Sequence, residues 1–375
     1  MTAWRVDVHR IPMQGPGDLK GFDRLVDAGA LDPKQIVAVL GKTEGNGGVN
    51  DFTREYASRS IVSWLEAKTG LSAMDLNGKV ALVMSGGTEG ALSPHATVFT
   101  RRQAPAADHG AKRLAVGVAH TRDFLPEEIG RRAQIVETAR AVAVAMTDAG
   151  INDPADVHFV QIKCPLLTAE RVEAAKLRGA STVTEESYAS MGYSRGCSAL
   201  GVALALHEIA DGLELENAVL TDWGLFSGVA SSSAGIELLC NTVVVMGNVA
   251  GAPGDNVIGH AVMKDAMDLQ GLLRAFQSAG LSTATVLDGS AQGRVVNLFA
   301  KAEPSPNGMI RGFRHTMLDD SDITPTRHAR AAVGGLAAAV AGCGAIYVSG
   351  GAEHQGPAGG GPVAVIAKAP LNGQD

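Results

Sequence analysis

The sequence predicts an α/β fold of three similar repeat domains about a pseudo-threefold axis, with one shared site at the centre. Three observations lead there. The composition is 46% hydrophobic but only 4% aromatic, with 46 glycines, which suits compact α/β units joined by many tight turns. Hydrophobic periodicity gives the same order of strands and helices three times over. The third observation is a short motif. Ser-Gly-Gly-x-Glu stands at 85–89 and again at 349–353, and a disguised copy, Ser-Ala-Gly-Ile-Glu, stands at 233–237.

In order along the chain, the first third reads as strand 4–11, helix 18–28, strand 36–42, helix 51–68 and strands 80–85 and 96–100. The middle third reads as strand 113–120, helix 126–149, strand 157–163, helix 198–210 and strands near 228–233 and 242–246. The last third reads as strand 256–263, helix 269–279, strand 295–301, helix 326–341 and strands 345–349 and 362–367. Junctions rich in Gly, Pro and Asp near 103–111 and 250–255 divide the chain into units 1–104, 111–250 and 255–375. Repeats of this length are duplicated domains rather than solenoid units.

Composition also excludes classes of partner. A net charge of −7 without any Lys/Arg stripe interleaved with aromatics argues against nucleic acid. Cys164, Cys197, Cys240 and Cys343 show neither a CxxC pair nor metal-ligand spacing, so they read as reduced thiols of a cytoplasmic protein. The amino-terminal segment alternates like a strand and carries no signal-peptide core. The uncharged stretch 331–348 approaches the length of a membrane span. Its glycines 334, 335, 342 and 344 instead predict a buried helix that breaks at Gly342 and runs into a strand.

Chemistry-bearing residues recur at fixed places in the repeat. The second strand of each unit ends on a lysine: Lys42, Lys163 and Lys301. The start of the second helix carries a hydroxyl residue and then an arginine: Thr53-Arg54, Ser194-Arg195 and Thr326-Arg327. The third strand ends on Ser85-Gly86, Ser233-Ala234 or Ser349-Gly350. Three serines with adjacent backbone N–H groups, and three arginines, suit a planar ligand with threefold features. Serine needs a base to act as nucleophile, and no histidine recurs in the repeats. Lysine is then the candidate base, its pKa lowered by burial and by neighbouring positive charge. With Ser231 and Ser232 alongside, the middle copy leaves open which hydroxyl attacks.

Other motifs fail. The Gly41–Gly48 loop has Ile36 where a phosphate loop needs glycine, and no G-x-G-x-x-G follows a strand. His207-Glu208 lacks a second histidine. No organic cofactor is therefore expected. Glu303, with Glu353, Gln355 and glycine-exposed carbonyls after Gly351, makes a plausible hard-cation site for Mg²⁺ or Ca²⁺.

The stretches VAVLGKTEGNGGVNDFTREYA, VMSGGTEGALSPH, FVQIKCPLLT, SMGYSRG, SSSAGIEL, FAKAEPSPNG, RHTMLDDSDI and VSGGAEHQGPAGGGP closely resemble the cyanuric acid hydrolase/barbiturase family of ring-opening amidohydrolases, over essentially the whole chain. The resemblance implies hydrolysis of one C–N bond of cyanuric acid to carboxybiuret, which loses CO₂ to give biuret. Opening of barbituric acid to ureidomalonate is the alternative within the family, and a non-catalytic binder of small planar ligands is the alternative outside it. The resemblance further implies Ser233 as nucleophile and Lys163 as base. It implies substrate contacts from Arg54, Arg195, Arg327, Ser85-Gly86, Ser233-Ala234 and Ser349-Gly350, with Lys42 and Lys301 completing the other dyads. A structural Mg²⁺ maps to Glu303, Ala352, Gln355, Gly356, Pro357 and Gly360. A homotetramer acting on a small cyclic imide, with no nucleic-acid or membrane partner, is the expectation that follows.

Overall fold

The computed structural model describes residues 2–107, 110–210 and 212–369. The last residues of the expected third unit, 370–375, and Met1 lie outside them. Each third of the chain forms one four-stranded sheet. The first holds β1 (Thr2–Pro12), β2 (Ile36–Thr43), β3 (Ala81–Gly86) and β4 (His95–Pro105), in the spatial order β1-β4-β2-β3. The second holds β5 (Lys112–His120), β6 (Val157–Pro165), β7 (Ala230–Gly235) and β8 (Thr242–Ala250), in the order β5-β8-β6-β7. The third holds β9 (Asn256–Met263), β10 (Val295–Ala302), β13 (Tyr347–Gly350) and β14 (Gly361–Lys368), in the order β9-β14-β10-β13. A two-residue hairpin of β11 (Met309–Ile310) and β12 (Phe313–Arg314) stands apart.

The three orders are the same. In each sheet the fourth strand lies antiparallel between the first and second, and the second and third run parallel. Parallel neighbours need a helical crossover. Here it is α2 (Phe52–Thr69) with α3 (Ala73–Asn77) in the first unit, and α5 (Ala169–Leu177), α6 (Ser187–Ala205) and α7 (Leu215–Ala218) in the second. In the third it is α10 (Pro325–Ala341). The remaining helices, α1 (Lys20–Asp27), α4 (Arg132–Ala149), α8 (Leu269–Ser278) and α9 (Thr283–Leu287), follow the first strands or precede the second ones. A crossover sets the carboxyl ends of two parallel strands side by side, the usual place for a site in an α/β sheet.

Every sheet buries both faces. The outer faces pack on helices in three separate clusters, for example Phe22, Ile61 and Leu65 in the first unit and Leu272, Phe276 and Val333 in the third. The inner faces share a fourth cluster, where Phe99, Phe159, Phe299, Tyr347, Val116 and Ile258 meet. The second strands are therefore almost continuously apolar, as strands covered on both sides must be.

The elements depart from expectation in one place that matters. Helix α6 begins at Ser187, not at 198. Gly192 and Gly196 weaken its helix signal, but they are there for packing. A Cβ at 196 would stand 3.0 Å from the His354 ring, and one at 192 would stand 3.3 Å from Glu353 Oε1. Arg195 consequently sits in mid-helix, while Arg54 and Arg327 are in the first turns of α2 and α10. The uncharged stretch behaves as expected: α10 ends at Gly342, at φ 75°, and the chain resumes as β13. Among the described residues no helix is long and apolar enough to cross a membrane.

Candidate active site

Strand register brings each lysine opposite its serine. Lys42 pairs with Ser85, Lys163 with Ser233 and Lys301 with Ser349, all as direct neighbours on parallel strands. The three lysines are buried, at 1% exposure or less. Lys42 Nζ donates to Ser85 Oγ at 3.1 Å, and Lys301 Nζ to Ser349 Oγ at 3.2 Å. The middle pair differs. Lys163 Nζ donates to Met84 O at 2.8 Å and to Ala234 O at 3.5 Å, and it lies 3.4 Å from Glu237 Oε1. Ser233 Oγ instead lies 3.0 Å from Ser349 Oγ.

One pocket collects these ends. It is lined by Arg54, Arg195 and Arg330, by Ser85-Gly86, Ser233-Ala234 and Ser349-Gly350, and by Lys163, Gly47 and Met191. It adjoins a vestibule of about 390 Å³ whose walls include Asn46, Tyr188, Thr326 and Arg327. The third arginine of the pocket is thus Arg330, not Arg327. One helical turn separates them. Arg330 faces inward with 4% side-chain exposure, and Arg327 stays at the mouth with 41%. Sequence reasoning stopped at the arginine nearest the hydroxyl residue, whereas the i,i+3 neighbour on the same face is the one turned into the pocket. Tyr347 was missed as well. It fills the axis beneath the serines, and its hydroxyl lies near Ser85 and Ser233 but reaches neither at hydrogen-bonding distance.

In the first and third units the Ser-x-Gly-x-Glu motif ends on glutamates that hold arginines of neighbouring units. Glu89 accepts from Arg330 Nε at 2.8 Å and Nη2 at 2.7 Å. Glu353 accepts from Arg195 Nε at 2.8 Å and Nη2 at 2.6 Å. Both are bidentate, charge-assisted pairs that fix the guanidinium planes. Arg54 has no such clamp: it donates to Ala234 O and Gly48 O, and its Nε has no partner.

The glycines of the motif answer to the helices. A Cβ at Gly86 would stand 1.7 Å from Asp51, the N-cap of α2, and one at Gly350 would stand 2.1 Å from Thr326 in the first turn of α10. Helix α6 begins more than two turns before Arg195, so no helix start crowds residue 234. Alanine fits there.

Burial is the largest influence on all three lysines, because a low-dielectric site disfavours the ammonium. It pushes Lys42 well down, with Arg330 adding to the effect. Lys301 falls to about 7, helped by Arg195. Lys163 falls to about 8, because the carboxylate of Glu237 opposes burial while Arg54 reinforces it.

Among the three candidate hydroxyls, only that of Ser233 faces the pocket. Ser231 Oγ donates to Gln161 Oε1 at 2.9 Å in the core, and Ser232 Oγ is buried without a partner. A G-x-S-x-G spacing that sequence reasoning passed over, Gly192 to Gly196, lies inside α6. Its serine, Ser194, is buried and accepts from Gln134 Nε2 at 2.8 Å, so it is no strand-to-helix elbow. A cleft of about 720 Å³ between α2, α3 and the ends of β5 and β8 is lined by Glu237 but by no lysine or serine of the dyads.

Known proteins with this architecture share its sequence. The model of the family described as amidohydrolase ring-opening protein matches residues 7–368. The chain belongs to the ring-opening amidohydrolases. This amidohydrolase is 60% identical to a cyanuric acid amidohydrolase of Bradyrhizobium diazoefficiens, covering 98% of this chain and 99% of that one. It is 55% identical to one from Pseudomonas sp. strain ADP, covering 98% and 100%. Among solved structures, a cyanuric acid hydrolase superposes with a TM-score of 0.93 at 54% identity, covering 98% and 100%. The enzyme from A. caulinodans gives 0.89 at 50% identity, with the same coverage.

The segment expected to hold a cation can be tested on its donors. Glu303 is buried beside Glu353, and burial and that neighbour raise its carboxyl to about 7. It accepts from Gly351 N at 2.7 Å and from Thr326 Oγ1 at 3.2 Å. Gln355 Oε1 accepts from Ser232 N at 2.7 Å, which leaves that oxygen one further lone pair. The carbonyls of 352–360 would have to complete an all-oxygen set, and those of Ala352 and Pro357 already accept from Gln355 N and Gly360 N. The Glu303 carboxyl and the Gln355 amide oxygen are donors of the kind a hard cation takes. Glu353, by contrast, is held by Arg195 through both oxygens, and no cluster of three His, Cys, Asp or Glu side chains occurs among the described residues.

Proposed function

We propose that this amidohydrolase opens the ring of cyanuric acid, using Ser233 as nucleophile and Lys163 as base. One observation carries the reading: three serines, each in register with a buried lysine, converge with three guanidinium groups and Lys163 on a single pocket. Cyanuric acid is planar and presents three equivalent carbonyl groups, so each serine and its following N–H meets one carbonyl. Arg54, Arg195 and Arg330 donate from the ring edge, in place of the Arg327 first assigned. Lys42 and Lys301 hold Ser85 and Ser349 as the ring's other two anchors.

Lys163, at about 8, is neutral in roughly a tenth of molecules at pH 7, close enough to the working pH for general-base catalysis. Neutral Lys163 takes the Ser233 proton as Ser233 Oγ attacks a ring carbonyl carbon. Backbone N–H groups at 233–234 and Arg54, which already donates to Ala234 O at 3.2 Å, stabilise the oxyanion. The intermediate collapses, the ring C–N bond breaks, and Lys163 returns its proton to the departing nitrogen. Water then releases carboxybiuret, which loses CO₂ to give biuret.

Glu303, Ala352, Gln355, Gly356, Pro357 and Gly360 would hold a Mg²⁺ or Ca²⁺ whose role is to neutralise Glu303 and fix the loop behind Ser349-Gly350. A homotetramer without an organic cofactor completes the reading. The test is turnover of cyanuric and barbituric acid side by side, with biuret and CO₂ as readouts. Stoichiometric biuret from cyanuric acid supports the reading, and turnover of barbituric acid alone refutes the substrate.

A further inference from the structure

Threefold repetition of the site is broken at one glutamate. Glu89 and Glu353 each grip the arginine of a neighbouring unit through two hydrogen bonds. The guanidinium groups so held lie over the second glycine of the motif: a Cβ at Gly87 would be 2.5 Å from Arg330, and one at Gly351 would be 2.4 Å from Arg195. In the middle unit that place belongs to Glu237 itself, whose carboxylate lies 2.4 Å from where a Cβ at Gly235 would be. Its expected arginine, Arg54, turns to two carbonyl oxygens and leaves Nε unpartnered. Freed from the clamp, Glu237 reaches Lys163 Nζ at 3.4 Å. No carboxylate stands within ion-pairing distance of Lys42 or Lys301 among the described residues.

We propose that Glu237 is the positioning residue that singles out the middle dyad, holding Lys163 by its carboxylate so that this lysine, and not Lys42 or Lys301, serves Ser233. The proposal rests on Lys163 as the base of the reaction. Glu237 contributes in two ways. It anchors the ammonium group beside Ser233, and its negative charge offsets part of the penalty of burying that group. The other charged or titratable groups facing the pair are Arg54 from α2, Arg171 from α5 and Cys164 on β6. Glu237 supplies the negative charge among them. Without it, burial and Arg54 act together to drive the proton off Lys163.

The sign of the effect follows. Removing a negative charge near an ammonium lets it deprotonate at lower pH. In Glu237→Gln the acid limb of kcat/KM moves to lower pH by at least about half a unit, and kcat falls roughly tenfold as Lys163 loses its anchor. Glu237→Asp keeps the charge and restores most of both. Glu89→Gln, which loosens Arg330 instead, raises KM and leaves the limb in place. Thermal melts of each variant separate these effects from misfolding. Coincident acid limbs in Glu237→Gln and the wild type, with Lys163→Met inactive, overturn the proposal. Turnover surviving in Lys163→Met overturns the reading on which it rests, and the proposal with it.

Discussion

The outer and middle units carry the same residues at the same register, yet they are wired differently. In the first and third units, lysine is bonded to serine, and glutamate is spent on a neighbour's arginine. In the middle unit, lysine makes no bond to its own serine, serine lies instead against Ser349, and glutamate is turned to lysine. A lysine bond to another unit's backbone is shared with Lys301, which donates to Ser232 O. The floor differs too. Behind Ser233 lies the polar pair Ser231 and Gln161, where the other units have Val83 beside Leu40 and Tyr347 beside Phe299. Repetition supplies three ways to hold a ring, and the exceptions to it mark where one bond of that ring is broken.

The largest effect should separate the serines. Ser233→Ala is expected to lower kcat by at least about a thousandfold, since removing a nucleophile leaves only binding and oxyanion contacts. Ser85→Ala and Ser349→Ala should act mainly on KM, by roughly tenfold each, the cost of one hydrogen bond in a buried site. Equal losses of kcat in all three, measured by steady-state kinetics, would erase the distinction between middle and outer units.

The arginines come next. Arg330→Ala should raise KM by about 10–100-fold, the worth of a charge-assisted contact. Arg327→Ala should change it less than about threefold, since the half-exposed Arg327 donates to Glu89 at 3.0 Å from the mouth and does not line the pocket. The reverse order would restore the assignment made from sequence.

The smallest effect lies at the seam between middle and last units, where His158 Nδ1 on β6 meets His260 Nδ1 on β9 at 2.8 Å. Burial, with His260 adding to it, lowers His158 from 6.5 to about 4. A histidine depressed in the folded state contributes stability above its unfolded pKa and loses it as pH falls through the folded one. Melting temperature should therefore drop between pH 6.5 and 4, and His158→Gln should flatten part of that drop. An unchanged slope would remove the pair from the pH response.

Much of this was legible beforehand for physical reasons. Strand ends, turn glycines and buried aliphatic runs are local signals, so β2, β6 and β10, with their terminal lysines, fall where periodicity put them. The start of α6 was not legible, because Gly192 and Gly196 serve contacts with a loop more than 150 residues away. Arg330 was hidden for a related reason: only the facing of α10 shows which of two arginines turns inward.

The sequence by itself determined three repeats and the residue types of the site, since those depend on composition and order along the chain. Only the tertiary structure decided which arginine, which of three adjacent serines and which partner for each glutamate. Those choices rest on distances between units far apart in sequence, and no local pattern encodes them.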